Sequence, residues 1–314
     1  MSINPELKAL VKGAYDLQAL RMQAGLRLCA NFRAKIKEHE DLSDEDGDDE
    51  LSEKKKRIID KVKADYRLLT TGIAKNRELP RREGFNGGEI ISTYAELVLV
   101  NQYLAIEREE SRQFRLLEPV LDGFPLWVEY LSKQVGVGPA MAGAIMTSLD
   151  VQEASYVSSF WKIAGLDVVN GEGRSRRAEH LMLHHYTDKK GRPAERMGIT
   201  FDAWLKTKMV GVLATSFMRS NSPWRNFYDN YKHRLETDPN RKKITTAEWK
   251  KKNDRGEENI RQYWTPGRIN NASKRYMIKM FLADLWEHWR ALEGLPVGPR
   301  YDEAKLGHKH GRAA

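Results

Sequence analysis

The segment from Leu126 to Leu149 constrains the fold of this chain most strongly. Two apolar stretches flank the tetrapeptide Gly136-Val137-Gly138-Pro139. Glycines allow a tight turn, and a proline fits the first turn of a helix, where its missing N–H costs nothing. The pattern therefore predicts two short helices joined by a tight turn, with small side chains after Pro139 that let the helices pack closely.

The start of the second helix in this hairpin predicts an anion-binding site. The N–H groups at a helix N-terminus, together with the helix dipole, can hold a phosphate oxygen. Such a contact positions a nucleic-acid strand without reading its bases. We expect Gly136, Val137, Gly138 and Ala140 to form the site. A tight hairpin without a ligand is the alternative interpretation.

Charge is distributed unevenly along the chain, which carries +9 overall. From Arg174 to the end there are 30 Lys and Arg residues against 16 Asp and Glu, a net charge of +14, so residues 1–173 carry −5. A basic half of this size indicates a polyanion as partner. A basic surface that serves solubility alone is the alternative.

Residues 1–123 are predicted to form a stalk of long helices. Apolar residues with helical spacing begin at Leu7, and no proline interrupts the chain from there to Leu79. The stretch near 38–53 holds ten acidic residues and predicts a loop between two helices. A third helix is expected from about Glu89 to Leu121. Coiled-coil-like packing of these helices would support a homo-oligomer.

Residues 124–314 are predicted to form a compact helix-hairpin-helix domain, so the expected fold class is all-α. A polar, basic insertion lies near 237–268 and contains two runs of three basic residues. It is either a surface loop or an arm that contacts nucleic acid. Trp249 and Trp264 within it are candidates for stacking on unpaired bases. Trp286 and Trp289, by contrast, have the spacing of core residues.

The order of motifs after the hairpin resembles a known family. Ile163-Ala164-Gly165-Leu166, a glycine-rich turn and the basic segment Arg174–Arg177 come first, and Ser222-Pro223-Trp224 and Lys274-Arg275-Tyr276 follow. This order resembles the C-terminal domain of DEDD-type insertion-sequence transposases of the 110/116/902 group, which pair a RuvC-like nuclease with a helix-hairpin-helix domain. The resemblance covers roughly Leu126 to Trp289.

Two departures from that family are visible. The family places its nuclease domain before the stalk, whereas this chain opens with a helix and shows no strand-borne Asp near its start. The resemblance therefore implies a separate nuclease subunit. The family also carries a nucleophilic serine soon after the Ala-Gly-Leu segment, where this chain has Val169-Asn170-Gly171. Ser175 is either a displaced nucleophile, with His180 or His184 as its base, or a loop serine that touches phosphate.

The remaining candidates for phosphate binding are basic side chains in the second domain. They are Lys162, Arg174, Arg176, Arg177, Lys206, Lys208, Lys274, Arg275 and Lys279.

No metal or cofactor is expected. Cys29 is the one cysteine, which excludes a Cys-based zinc cage. His180 and His184 are expected to share a helix face, but no carboxylate pair completes a metal site beside them in the sequence. The acidic stretch resembles a calcium loop, yet Leu42 stands where the first ligand belongs.

A cytoplasmic protein without a membrane partner is expected. No apolar run approaches the roughly 20 residues that span a bilayer, and the N-terminus lacks the pattern of a signal peptide. The leading interpretation is a binding protein for DNA, or less favourably RNA, that assists recombination or transposition. The resemblance alone suggests a prokaryotic mobile element or a phage as its origin. A serine-dependent strand-transfer subunit, and a structural protein that oligomerises on a polyanion, are the alternatives.

Overall fold

A computed structural model describes residues 4–36, 51–71, 79–169, 171–257 and 259–298. The protein is mostly helical, with 63% helix and 7% strand. The strands of the described residues form three two-stranded sheets. The prediction of a mostly helical protein is therefore confirmed, and the all-α prediction did not include the small sheets. The predicted acidic loop lies outside the described residues, apart from its last three positions.

The chain divides into two compact units. The described residues of Ala9–Pro119 form the N-terminal unit, and those of Val120–Ala314, together with those of Met1–Lys8, form the C-terminal unit. Each unit has its own apolar interior.

The N-terminal unit is built from three long helices. They are α1 (Pro5–Phe32), α2 (Glu53–Thr70) and α3 (Tyr94–Leu121), with the first residues of α1 and the last of α3 outside the unit. Leu28, Ile58 and Val100 are among the buried residues of a shared core. Oligomerisation through this unit stays a prediction.

The third helix begins later than the sequence predicts, because a buried carboxylate holds the preceding residues in a loop. Asp65 accepts hydrogen bonds from the N–H groups of Ile90 and Ile91, at 3.0 and 2.7 Å. Thr93 and Glu96 then cap the helix reciprocally, each side chain accepting from the other's backbone N–H at 3.2 Å.

The C-terminal unit contains eight helices in its described residues. They are α4 (Pro125–Glu129), α5 (Pro139–Ser148), α6 (Val157–Ile163), α7 (Ala203–Thr207), α8 (Ala214–Arg219), α9 (Arg225–Thr237), α10 (Thr246–Asp254) and α11 (Pro266–Leu292). Short 3₁₀ turns occupy 131–133, 178–180 and 260–262, and a π-helical segment occupies 208–213. The strands are β1 (Val168–Val169), β2 (Glu172–Gly173), β3 (Met182–Thr187), β4 (Pro193–Gly198), β5 (Lys242–Lys243) and β6 (Tyr263–Trp264).

Helix α11 forms the centre of this unit, and α4, α6, α8 and α9 pack against it. Trp286 and Trp289 on α11 are buried, which confirms their predicted place in the core. The Trp286 indole N–H donates to the Ala154 carbonyl at 2.8 Å, so the polar atom of this buried ring is satisfied. Phe281 meets Phe217 of α8 edge to face, with centroids 5.3 Å apart.

The segment around His180 and His184 does not form the predicted helix. His180 ends a 3₁₀ turn, and His184 lies in β3, which pairs with β4 in antiparallel register. The two histidines therefore share no helix face. The sequence does carry a turn signal here, which is Gly191. This glycine lies in the short loop between the strands and adopts a φ of +78°, a conformation that favours glycine.

Candidate nucleic-acid interface

A cleft of about 430 Å³ lies in the C-terminal unit, where three stretches of chain meet. Strand β2 and the residues after it form one wall, the basic insertion forms a second, and α11 forms the third. The lining residues include Glu172, Ser175, Arg177, Trp249, Arg261, Tyr263, Trp264, Arg268 and Arg275. Of the predicted site residues, Ser175, Arg177 and Arg275 line this cleft.

The first wall is held in place by an internal ion pair. The Arg174 guanidinium donates from Nε and Nη2 to the two oxygens of the Asp167 carboxylate, at 2.7 to 2.9 Å. Arg174 is buried, and its backbone N–H donates to the Asp167 carbonyl at 2.9 Å. Arg174 was predicted to bind phosphate, but its guanidinium is engaged by Asp167 and instead holds the segment that carries Ser175 and Arg177.

Arginine side chains dominate the charge of the cleft. Among its described lining residues, four are arginines and one is a glutamate, so the lining carries a net charge of +3. Glu172 forms an ion pair with Arg177 and lies 3.9 Å from the Arg261 guanidinium. Glu172, Arg261 and Arg268 are functional candidates that sequence reasoning missed.

The arginines lie close enough to affect one another. Burial and the positive charge of Arg177 lower the pKa of Arg275 below its usual value. Burial also lowers the pKa of Arg268, with Arg177 and Arg241 acting in the same direction against Glu172. Both side chains nevertheless keep their charge, because a guanidinium group is not deprotonated in proteins. The cleft therefore concentrates permanent positive charge.

A half-buried lysine, Lys206, lies beside this cluster. Burial lowers the pKa of Lys206 to about 8, and the neighbouring Arg275 contributes in the same direction. Its ammonium donates to the Arg174 carbonyl at 2.5 Å. Lys206 is thus a predicted phosphate ligand that loses its charge near pH 8, and it contacts the wall that carries Ser175 and Arg177.

The basic insertion is folded and supplies the second wall. Its helix α10 begins with a capping box, in which Thr245 and Glu248 bond reciprocally to backbone N–H groups. The guanidinium groups of Arg241 and Arg268 lie 4.2 and 4.3 Å from the centre of the Trp264 ring. The Trp264 ring is thus in contact with Arg241 and Arg268 of the same protein. The Trp249 ring is half-buried and lines the cleft.

Ser175 is paired with a buried histidine. Its hydroxyl oxygen lies 2.9 Å from Nδ1 of His180, and its backbone N–H donates to the same nitrogen at 3.0 Å. A backbone N–H can only donate, so Nδ1 carries a lone pair and a neutral ring bears its proton on Nε2. Nδ1 can therefore accept the hydroxyl proton of Ser175.

Two carboxylates approach the same histidine. An oxygen of Glu172, an oxygen of Glu179 and a ring nitrogen of His180 all lie within 4.8 Å of one another. This is the spacing of a metal-ligand set. Arg177 pairs with Glu172, and Arg261 pairs with Glu179 at 2.6 Å. The protein's own cations therefore compensate the charge of these carboxylates.

The predicted hairpin is present around Gly136–Pro139, with α5 beginning at Pro139. Gly136 has a φ of +98°, and a Cβ there would lie 2.9 Å from atoms of Phe217 and Ser220. Its glycine is therefore required by backbone conformation and internal packing. Gly138 is exposed, and a Cβ there would meet nothing within 4 Å. Val137 is buried and Ala140 half-buried, so Gly138 is the exposed glycine of the predicted phosphate site.

The remaining predicted residues do not line the cleft. Lys208 is buried with its ammonium over the Trp204 ring, and Lys279 has its ammonium 4.2 Å from the centre of the Trp161 ring. Lys162 and Arg176 are exposed, and Lys274 is half-buried.

Comparisons with protein-family models, with curated proteins and with solved structures gave no match. Among the helices of the described residues, none has both the length and the apolar character needed to cross a membrane. The geometry and the charge of the cleft are therefore the features that bear on function.

Proposed function

We propose that this protein binds nucleic acid, in the first place DNA, by holding the phosphate backbone in the arginine cleft. The observation that carries the proposal is the cluster of Arg177, Arg268 and Arg275. Arg177 is close enough to lower the pKa of both of the others. Holding like charges together costs free energy, and a bound phosphate would offset that cost.

The side chains of the cleft walls favour binding of the phosphate backbone of a nucleic acid over binding of an isolated base. A guanidinium group presents a planar fork of donors that matches the oxygens of a phosphate. The half-buried ring of Trp249 offers a surface on which an unpaired base could stack, whatever its identity. Contacts of this kind position a strand without specifying its sequence.

The link to recombination or transposition depends on the order of sequence motifs, from the hairpin through Arg174–Arg177 to the closing helix. The exposed Gly138 at the start of α5 would provide a second phosphate contact in the same unit. Homo-oligomerisation and a separate nuclease subunit belong to this proposal as well.

The test is a binding measurement with matched charge variants of the full chain. Arg177→Gln/Arg275→Gln removes two charges from the cleft, and Arg112→Gln/Arg115→Gln removes two exposed charges from the N-terminal unit. We expect the cleft variant to bind a labelled 30-nucleotide DNA at least ~25-fold more weakly, at about 1 kcal/mol or more for each charged hydrogen bond. The control should change the affinity by less than about twofold. Equal affinities for the two variants would refute the proposal.

A second candidate function is serine-dependent strand transfer, and the 2.9 Å contact between Ser175 and His180 favours it. The hydroxyl proton would move to Nδ1 as Oγ bonds to phosphorus. A phosphodiester P–O bond would break, and its leaving oxygen would take up a proton. Nδ1 also accepts the Ser175 backbone N–H, a bond that protonation of Nδ1 would break. Binding is therefore the first proposal.

The two functions predict different products. Strand transfer through Ser175 forms a covalent protein–DNA adduct that survives denaturing electrophoresis, and Ser175→Ala abolishes that adduct while keeping full affinity. Binding alone gives no adduct with either protein, and Ser175→Ala again binds within about twofold of the unsubstituted protein, because one neutral hydroxyl contributes little beside four arginines. The assay should include a supplied nuclease with the DNA.

A further inference from the structure

Strands β3 and β4 form a two-stranded hairpin, residues 182–198, which we name the β-arm. The pairing is regular from Met182 opposite Gly198 to Thr187 opposite Pro193. Nine of its twelve strand residues are exposed. Two strands that bury neither face are marginally stable on their own. Exposure of both faces of the β-arm is therefore typical of an element that binds a partner molecule.

The tip of the β-arm is cationic, and hydrogen bonds within the turn shape it. The Asp188 carboxylate accepts from the N–H groups of Lys190 and Arg192, at 2.7 and 2.9 Å, and lies 3.6 Å from the Arg192 guanidinium. Lys189 and Lys190 are exposed. The structure thus uses the one acid of the tip to shape the turn, and presents the neighbouring cations to solvent.

The body of the β-arm has no net charge from its one Arg and one Glu, and it adds exposed apolar side chains to the cationic tip. Glu195 pairs with His185 at 2.9 Å, and Arg196 lies over the Tyr186 ring. Leu183 and Met197 are opposite one another, each about half exposed. Residues 182–198 carry four Lys and Arg against two Asp and Glu, a net charge of +2. This composition is complementary to a polyanion that also offers apolar surface.

The base of the β-arm is continuous with the arginine cleft. Its first strand begins two residues after His180, the partner of Ser175. Its second strand leads to α7, whose Lys206 donates to the Arg174 carbonyl. Both ends of the arm are therefore fixed to the wall that carries Ser175 and Arg177.

We propose that the β-arm inserts into the major groove of duplex DNA, with its tip cations on the flanking phosphates. The major groove of B-form DNA is ~12 Å wide and admits a two-stranded ribbon, whereas the major groove of duplex RNA is too narrow for side chains to enter. Six paired residues span roughly 20 Å, enough to follow the groove. This proposal rests on the proposed function and narrows its ligand to duplex DNA.

The test compares ligands as well as variants. Lys189→Gln/Lys190→Gln/Arg192→Gln neutralises the tip, and Arg33→Gln/Arg112→Gln/Arg115→Gln removes three exposed charges from the N-terminal unit as a control. Affinities are measured for a 30-bp DNA duplex, for one of its strands and for an RNA duplex. We expect the tip variant to lose at least ~30-fold for duplex DNA, through three phosphate contacts, and less than about threefold for the other two ligands.

The outcomes separate this proposal from the function on which it depends. If the unsubstituted protein binds none of the three ligands, the proposed function fails. A second outcome would overturn the β-arm proposal alone. In that outcome the unsubstituted protein binds and the cleft variant has a lower affinity, but the tip variant has the same affinity as its control for every ligand. Loss of self-association by the tip variant in light scattering, with duplex affinity unchanged, would assign the arm to a second copy of this chain and would also overturn the proposal. Circular dichroism should show unchanged helix content in both variants.

Discussion

Glu172→Gln should tighten the binding of DNA, although it removes an ion-pair partner from the structure. Glu172 is the acid among the described residues that line the cleft, and it pairs with Arg177 beside Arg261. Its charge opposes any phosphate that the arginines hold. Neutralising it raises the net charge of the lining from +3 to +4 and frees Arg177 to bind the ligand.

The size of this effect follows from Coulomb's law. A phosphate held by Arg177 would lie ~7 Å from the Glu172 carboxylate, and at an effective dielectric constant between ~20 and ~80 the repulsion is about 0.6 to 2.4 kcal/mol. Affinity should therefore rise by roughly threefold to fiftyfold at 50 mM salt, and by less at 500 mM because salt screens the charges.

Fluorescence anisotropy with a labelled DNA duplex measures the change. Asp229→Asn serves as the control, because Asp229 is an exposed acid on α9 whose partner, Arg225, lies outside the cleft lining. The control should alter affinity by less than about twofold. Unchanged or weaker binding by Glu172→Gln, with an unchanged melting temperature, would refute the assignment of the cleft as the phosphate site.

Two further predictions concern a glycine and a lysine of the C-terminal unit. Gly136→Ala should lower the free energy of unfolding by about 2 kcal/mol or more, because its φ is +98° and the added Cβ would lie 2.9 Å from Phe217. Urea denaturation measures this, and Gly138→Ala, at a position with open space, should change it by less than about 1 kcal/mol. Affinity for DNA should fall between pH 7 and 9, because Lys206 loses its proton near pH 8 and a bound phosphate favours the charged form. The free energy of unfolding should rise from pH 8 to about 10.5, because in this range the unfolded chain still holds the proton that the folded protein has lost. Lys206→Arg should abolish the fall in affinity, and a fall that persists in this variant would show that another group is responsible.

Local sequence patterns predicted the parts of the fold that depend on neighbouring residues. Helix α5 begins at Pro139 as the Gly-Val-Gly-Pro pattern indicates, and the spacing of Trp286 and Trp289 placed them in the core. The segment Met182–Thr187 was harder, because its mixture of apolar residues and histidines suits a helix or a strand. The pairing with Pro193–Gly198 decides between them, and the turn at Gly191 is the local signal for it.

The cleft depends on contacts between residues that are distant in sequence. Arg177 and Arg268 come from different elements, and no local pattern places them together. Arg174 shows the complementary problem. Its position in a basic run suggested a phosphate ligand, but folding brings Asp167 within 2.7 Å of its guanidinium. The side-chain types identified the right segment. Only the packing of the chain separates Arg174, which holds the segment in place, from Arg177, which lines the cleft.

The salt dependence of DNA binding is the most direct measurement of phosphate binding in the arginine cleft. If the cleft and the basic surface around it hold about three to six phosphates of a duplex, log K should fall with log salt concentration with a slope between about −2.7 and −5.4. Arg177→Gln/Arg275→Gln should reduce the magnitude of that slope by about 1.8, and Arg112→Gln/Arg115→Gln should leave it unchanged. An affinity that stays constant between 50 and 200 mM salt, or equal slopes for the two variants, would contradict a phosphate-binding arginine cleft.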